Sequence, residues 1–180
     1  MAARNSRRMR CTPDDVFAVL SDGWLYPVWV VGATRMRGVD PGFPRVGTRI
    51  HHSLGVWPVM LHDETEIVEW TAPHRVRLRP SASLLGRGVI RIDVRPYGAD
   101  TAVSMIEEPV SGLAALLPRW LWAPALRVRN HECLDRLAFL AEGRAAERAS
   151  GEPAYRASLI DPEDGVASKQ AREDVHESGI

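Results

Sequence analysis

The sequence predicts an α+β domain. A curved antiparallel sheet of about seven strands should carry a long C-terminal helix across one face, with two short helices after the first strand. Three observations predict it. Residues 113–142 hold the longest helical pattern in the chain, with apolar side chains at spacings of three and four. Between residues 34 and 107 the hydrophobic period is two, the signature of half-buried strands. Those runs are joined by short Gly/Pro/Asp segments, and tight connections imply antiparallel neighbours.

The elements follow in order. Residues 6–11 form a first strand, with Met9 and Cys11 on one face and Arg8 and Arg10 on the other. Thr12-Pro13-Asp14-Asp15 starts a helix: Thr12 is a good N-cap, Pro13 suits the first turn, and the two acids favour the positive helix end. Val16, Phe17 and Leu20 supply its buried face, and Asp22-Gly23 stops it. A second short helix spans 24–31, with Trp24, Val28 and Val31 at helical spacing. Strands are expected at 34–39, 48–54, 59–70, 75–79, 87–95 and 101–107. The inward sets include Ile50, His52 and Leu54; Leu61, Asp63, Thr65 and Ile67; and Gly88, Ile90, Ile92 and Val94. Tyr97-Gly98-Ala99-Asp100 is a hairpin turn.

In the long helix, Leu126, Asn130, Cys133, Leu134, Leu137, Ala138 and Ala141 form one stripe. Arg127, Arg129, Glu132, Asp135 and Arg136 occupy the wet side, and Gly143 ends the run. Residues 1–143 are thus one domain. Residues 144–180 carry five basic and eight acidic residues, a net of −3, with few large apolar side chains, and read as a disordered polar tail.

Composition bounds the function. The 180-residue chain has zero formal charge, and Lys169 is its only lysine; its arginines are scattered. Nothing argues for a nucleic-acid partner. The two cysteines, Cys11 and Cys133, give neither a disulfide framework nor zinc spacing, which suits a reduced cytoplasmic setting. No apolar run reaches the ~20 residues that span a bilayer, and no secretory signal is expected. No cofactor motif is found, and His51, His62 and His74 do not form a metal set.

The order of elements resembles the helix-grip fold of the START-related, or SRPBCC, superfamily, which includes polyketide cyclases and lipid-transfer domains. The resemblance covers about residues 6–143. It is carried by Thr12-Pro13-Asp14-Asp15-Val16-Phe17-Ala18-Val19-Leu20, Val46-Gly47-Thr48-Arg49-Ile50, Thr65-Glu66-Ile67-Val68-Glu69-Trp70 before Pro73, Asp100-Thr101-Ala102-Val103 and Arg129-Asn130 on the last helix. The chain is similar above all to the bacterial polyketide cyclase/dehydrase-like group. The resemblance implies a deep apolar cavity between sheet and helix. It transfers no catalytic residue, because no catalytic motif matches.

Within that cavity the candidate polar groups are His52, Asp63, Thr65 and Asn130. Ile50, Leu61, Ile67, Ile90, Ile92 and Met105 form the wall, and Trp24 and Trp57 stand near its mouths. If Leu54 faces Val59 across a Gly55–Pro58 turn, His52 and Asp63 are diagonal neighbours, a pair suited to a general base or a ligand hydrogen bond, or simply a structural contact. Glu107 faces inward and needs a partner or a place at the mouth, which is the favoured position. Two main functions remain open. One is a domain that encloses a hydrophobic small molecule, such as a lipid, polyketide or aromatic compound. The other is a cyclase-, dehydratase- or aromatase-type enzyme using the same cavity. A regulatory partner protein using the tail is a third. Oligomeric state is not legible.

Overall fold

The computed structural model describes residues 3–56, 59–81, 87–111 and 119–151. Seven antiparallel strands form one sheet in the order β1-β7-β6-β5-β4-β3-β2. They are β1 (Ala3–Met9), β2 (Ala33–Val39), β3 (Arg49–Val56), β4 (Val59–Thr71), β5 (Arg75–Pro80), β6 (Arg87–Tyr97) and β7 (Asp100–Ser111). Helices α1 (Pro13–Leu20) and α2 (Tyr26–Trp29), with a 3₁₀ turn at Gly23–Leu25 between them, carry the chain from one sheet edge, β1, to the other, β2. Helix α3 (Arg119–Ser150) follows β7. This is the expected helix-grip architecture.

Local chemistry sets the ends of these elements. Thr12 and Asp15 form a reciprocal capping box: the Asp15 N–H donates to Thr12 Oγ1 at 3.4 Å, and the Thr12 N–H donates to Asp15 Oδ2 at 2.8 Å. The core lies between the sheet and the helices. Met9, Val16, Val19, Ile50, Ile67, Ile92, Val94 and Val103 are all no more than 2 % exposed, as are Leu134 and Leu137 from α3. The α3 stripe is the expected one from Asn130 on, with Asn130, Cys133, Leu134, Leu137, Ala138 and Ala141 buried, while Leu126 is only partly buried.

Four expectations change. Gly143 does not end α3. It is exposed within the helix, which runs to Ser150, and Gly151 at φ +68° occupies the left-handed position that favours glycine. One glycine inside a helix costs only about 1 kcal/mol, too little to stop a helix whose next turns continue. The 24–31 segment buries Tyr26, Trp29 and Val30, not Trp24 and Val28, which are 60 % and 47 % exposed. Both sets fit helical spacing, and packing chooses. The β3–β4 hairpin is tighter than expected: Val56 faces Val59, which shifts the register by two residues but keeps every inner side chain inward. Arg129 is not on the wet side of α3. Its Nε donates to the Val31 carbonyl at 3.1 Å, and its Nη1 lies 3.2 Å from Glu107 Oε2.

By backbone contacts the chain divides into residues 1–145 and 146–180. Of the second unit, residues 146–151 are described, and these are the last helical turn and Gly151. The expected polar tail otherwise lies outside the described residues. Among those residues no helix is long and apolar enough to cross a membrane.

Candidate functional site

β3 and β4 place the inward polar groups. The tight hairpin sets His52 directly opposite Asp63, and Ile50 opposite Thr65. His52 Nε2 shares a 3.0 Å hydrogen bond with Thr65 Oγ1 and lies 3.8 Å from Asp63 Oδ2. Thr65 Oγ1 also shares a 3.1 Å bond with the Tyr26 hydroxyl. The Tyr26 ring lies over His52, with centroids 4.9 Å apart and planes tilted by 33°. Tyr26 therefore joins α2 to the strands through both a hydroxyl and a ring face. His52, Asp63, Thr65 and Tyr26 are all buried.

Burial favours the neutral forms of His52 and Tyr26. Burial holds the His52 imidazolium below its usual titration range; the Asp63 carboxylate opposes this without cancelling it. Burial pushes the Tyr26 phenol up to about 12, with the Thr65 hydrogen bond pulling the other way. A neutral His52 can accept the Thr65 hydroxyl at Nε2 while Thr65 accepts from Tyr26, or the chain can run in reverse. In either direction Nδ1 has no well-aligned hydrogen bond, only a backbone contact at Ser53.

On the facing helix, Asn130 is 0 % exposed, and neither its Oδ1 nor its Nδ2 has a hydrogen-bond partner among the described residues. Nearby on α3, Cys133 Sγ accepts the Val31 N–H at 3.3 Å, and burial raises its thiol pKa. The Arg129–Glu107 pair closes the same end of α3 against β7 and the turn after α2.

A small pocket of about 10 Å³, room for about one water, lies beside this polar group. Tyr26, Trp29, Phe43 and Trp70 supply aromatic walls, Ile50 and Ile67 belong to the floor, and Asp22 adds a carboxylate. None of its lining residues comes from α3, and His52, Asp63, Thr65 and Asn130 are not among them.

The sequence-predicted residues divide accordingly. Ile50 and Ile67 line the pocket. Ile90, Ile92 and Met105 are buried core residues that do not. Leu61 is 41 % exposed because the tight hairpin pairs it with Leu54, towards the β3–β4 turn. Trp24, also expected at the site, lies in the Gly23–Leu25 turn and is exposed, while Tyr26 and Trp29 of α2 are buried. Trp57 lies outside the described residues. Glu107 finds its partner in Arg129 instead of standing free at a mouth. Among the described residues no three His, Cys, Asp or Glu side chains gather to hold a metal ion.

Solved structures share this architecture. Protein NE0264 from Nitrosomonas europaea superposes with a TM-score of 0.64 at 13 % identity, covering 81 % of this chain and 97 % of its own. Protein CV1439 from Chromobacterium violaceum gives 0.60 at 17 %, covering 78 % and 97 %. CalU16 from Micromonospora echinospora gives 0.53 at 13 %, covering 77 % and 74 %. The likeness shows the fold. No family model matches the chain, and no curated protein does.

Sequence reasoning missed Tyr26, Phe43 and the Arg129–Glu107 pair. A signal existed for Tyr26, since a buried tyrosine hydroxyl needs a polar partner and inward polar groups were already placed on β3 and β4. Phe43 sits in a Pro/Gly segment whose path no periodicity reveals.

Proposed function

We propose that this chain binds a small apolar molecule carrying at least one hydrogen-bonding group, held between the sheet and α3, as a member of the START-related superfamily working in the cytoplasm. The observation that carries this is Asn130. A fully buried amide with no partner among the described residues costs about 1–3 kcal/mol for each unmet group, and a ligand that bonds to it recovers that cost. Aromatic walls next to His52 and Thr65 supply the remaining requirements of a small-molecule site: area for affinity and a few polar points for orientation.

A second proposal is catalysis in the same space, of the cyclase, dehydratase or aromatase kind. The His52–Thr65–Tyr26 hydrogen-bond chain favours it, since a neutral buried imidazole bonded to the Thr65 hydroxyl, and through it to the Tyr26 hydroxyl, can take and return a proton.

Native mass spectrometry of protein purified from its own host tests the binding proposal. The expected result is a retained small-molecule adduct, lost in Asn130→Leu. No adduct, together with no binding of apolar aromatic probes at micromolar concentration, would overturn it. If the bound compound is turned over, His52→Leu should abolish turnover while probes still bind.

A further inference from the structure

Outside the pocket, His51 stands between two carboxylates from separate parts of the chain. Its Nε2 is 2.8 Å from Asp40 Oδ1, and its Nδ1 is 3.1 Å from Glu64 Oε1. Asp40 begins the 40–48 segment between β2 and β3, whereas Glu64 lies on β4 directly across from His51. A neutral imidazole has one N–H and one lone pair. It can donate to one of these carboxylates, but its other nitrogen would then point a lone pair at an anion. Both contacts together therefore need the imidazolium form, which donates from each nitrogen.

The neighbouring charges are these. Asp40 faces the ring from the segment after β2, and Glu64 faces it from β4. Arg49, on β3 itself, reaches Glu64 Oε2 at 3.3 Å and gives its backbone N–H to Asp40 Oδ2 at 3.0 Å. β2 brings Gly38 closest to the ring, and its Arg37 is turned to the carbonyls of His52 and Asp63. Glu66 on β4 is turned to Arg79. The hydrogen bond to Asp40, and then the one to Glu64, raises the His51 pKa above its usual value and lowers that of Asp40.

The 40–48 segment also carries Phe43 into the pocket wall. At its far end it is fixed by backbone bonds: the Gly47 N–H donates to the Ile67 carbonyl at 2.8 Å, and the Ile67 N–H donates to the Thr48 carbonyl at 2.9 Å. At its near end the Asp40 N–H donates to the Arg49 carbonyl at 3.0 Å, and of the ties there the contact of Asp40 Oδ1 with His51 is the one that a proton controls.

We propose that His51 is a proton-operated latch on the pocket. Protonated, it ties Asp40 to β4 and keeps Phe43 seated in the pocket wall. Deprotonated, it can keep only one of the two carboxylates, so the bridge from Asp40 to β4 is broken and the Asp40 end of the 40–48 segment and its wall loosen, with the proton passing to solvent. Because the folded-state pKa is raised, the latch is fully closed below the unfolded-state pKa and is lost as pH rises through the folded one. The pocket's role rests on the binding proposal above, but the latch is read without any ligand, so the two can fail separately.

The test is an NMR titration of the His51 ring alongside amide hydrogen exchange in residues 40–48, from pH 5.5 to 9.5, with exchange corrected for its intrinsic pH dependence. His51 should titrate above the usual ~6.5. Opening of the segment should rise through the same midpoint, tenfold for every pH unit separating the closed and open titrations. In His51→Gln, opening should be independent of pH and already at the alkaline level. In Asp40→Asn the His51 midpoint should fall. A wild-type His51 midpoint at or below the usual value overturns the proposal, as does exchange in 40–48 that ignores that midpoint. Should a variant not fold, the wild-type titration alone still decides.

Discussion

Asn130→Leu should make the ligand-free protein more stable. Leucine keeps the branching and heavy-atom count of asparagine, so it fills the same space with little overpacking. What it removes is a side chain that is 0 % exposed, with two polar atoms unpartnered among the described residues. Each unmet group costs about 1–3 kcal/mol, and a buried water can satisfy part of that need, so the expected gain is about 1–3 kcal/mol in total. At roughly 2–4 °C per kcal/mol for a chain of this size, Tm should rise by about 2–12 °C. Urea unfolding should show a higher midpoint at unchanged slope, since the fold and its buried area are kept. Ligand affinity should move the other way and fall at least about tenfold, as when one hydrogen-bonding partner worth ~1.4 kcal/mol is lost. A loss of 2 kcal/mol or more in the empty protein would refute the reasoning: the amide would then be bonded by protein groups, and the observation that carries the binding proposal would fall with it.

Further outcomes are expected. Leu134→Ala, at a 0 % exposed position mid-stripe on α3, should cost about 2–5 kcal/mol by urea unfolding, whereas Arg136→Ala, which breaks only an exposed i,i+4 pair with Glu132, should cost about 0.5 kcal/mol or less. Arg129→Met should behave unlike a surface change and cost about 1–3 kcal/mol, because it strips the Val31 carbonyl and the half-buried Glu107 of their donor; a neutral result would mean that the pair is open to water. His52 has a lowered folded-state pKa, so unfolding takes up a proton as pH falls below about 6.5, and its share of stability, complete above that pH, is lost going down. Stability against pH should therefore be flatter in His52→Leu than in wild type from about 6.5 towards the carboxylate range, and parallel curves would refute a buried neutral His52. Removing residues 152–180 should leave cooperative thermal unfolding intact, since that stretch has too little apolar surface to offset its ordering entropy; a broadened transition would place it in the core.

The sequence by itself determined the architecture and the faces of most elements. Strand parity put Ile50, His52, Asp63, Thr65, Ile67, Ile90 and Ile92 inward, and all are buried. Parity survives because a two-residue slip of register leaves every side chain on its face; the misplaced β3–β4 turn cost the inner set only Leu61, which lies towards the turn and is 41 % exposed. Helical spacing likewise fixed the α3 stripe down to its odd polar member, Asn130. What only the tertiary structure decided were choices between local patterns of equal merit, and meetings between distant residues. Tyr26 and Trp29 fit helical spacing no better than Trp24 and Val28; burial against His52 and Thr65 made the choice. Arg129 belongs to the wet side by periodicity, yet it turns to Glu107 and the Val31 carbonyl, because a long flexible side chain follows its partners and not its helix angle. Phe43 reaches the pocket from a segment with no period at all, and His51 meets Asp40 and Glu64 only once β2, β3 and β4 are in register. Periodicity records which way a side chain leaves its own backbone. Its partner across the fold is set by the summed packing of every other element, which no local window contains.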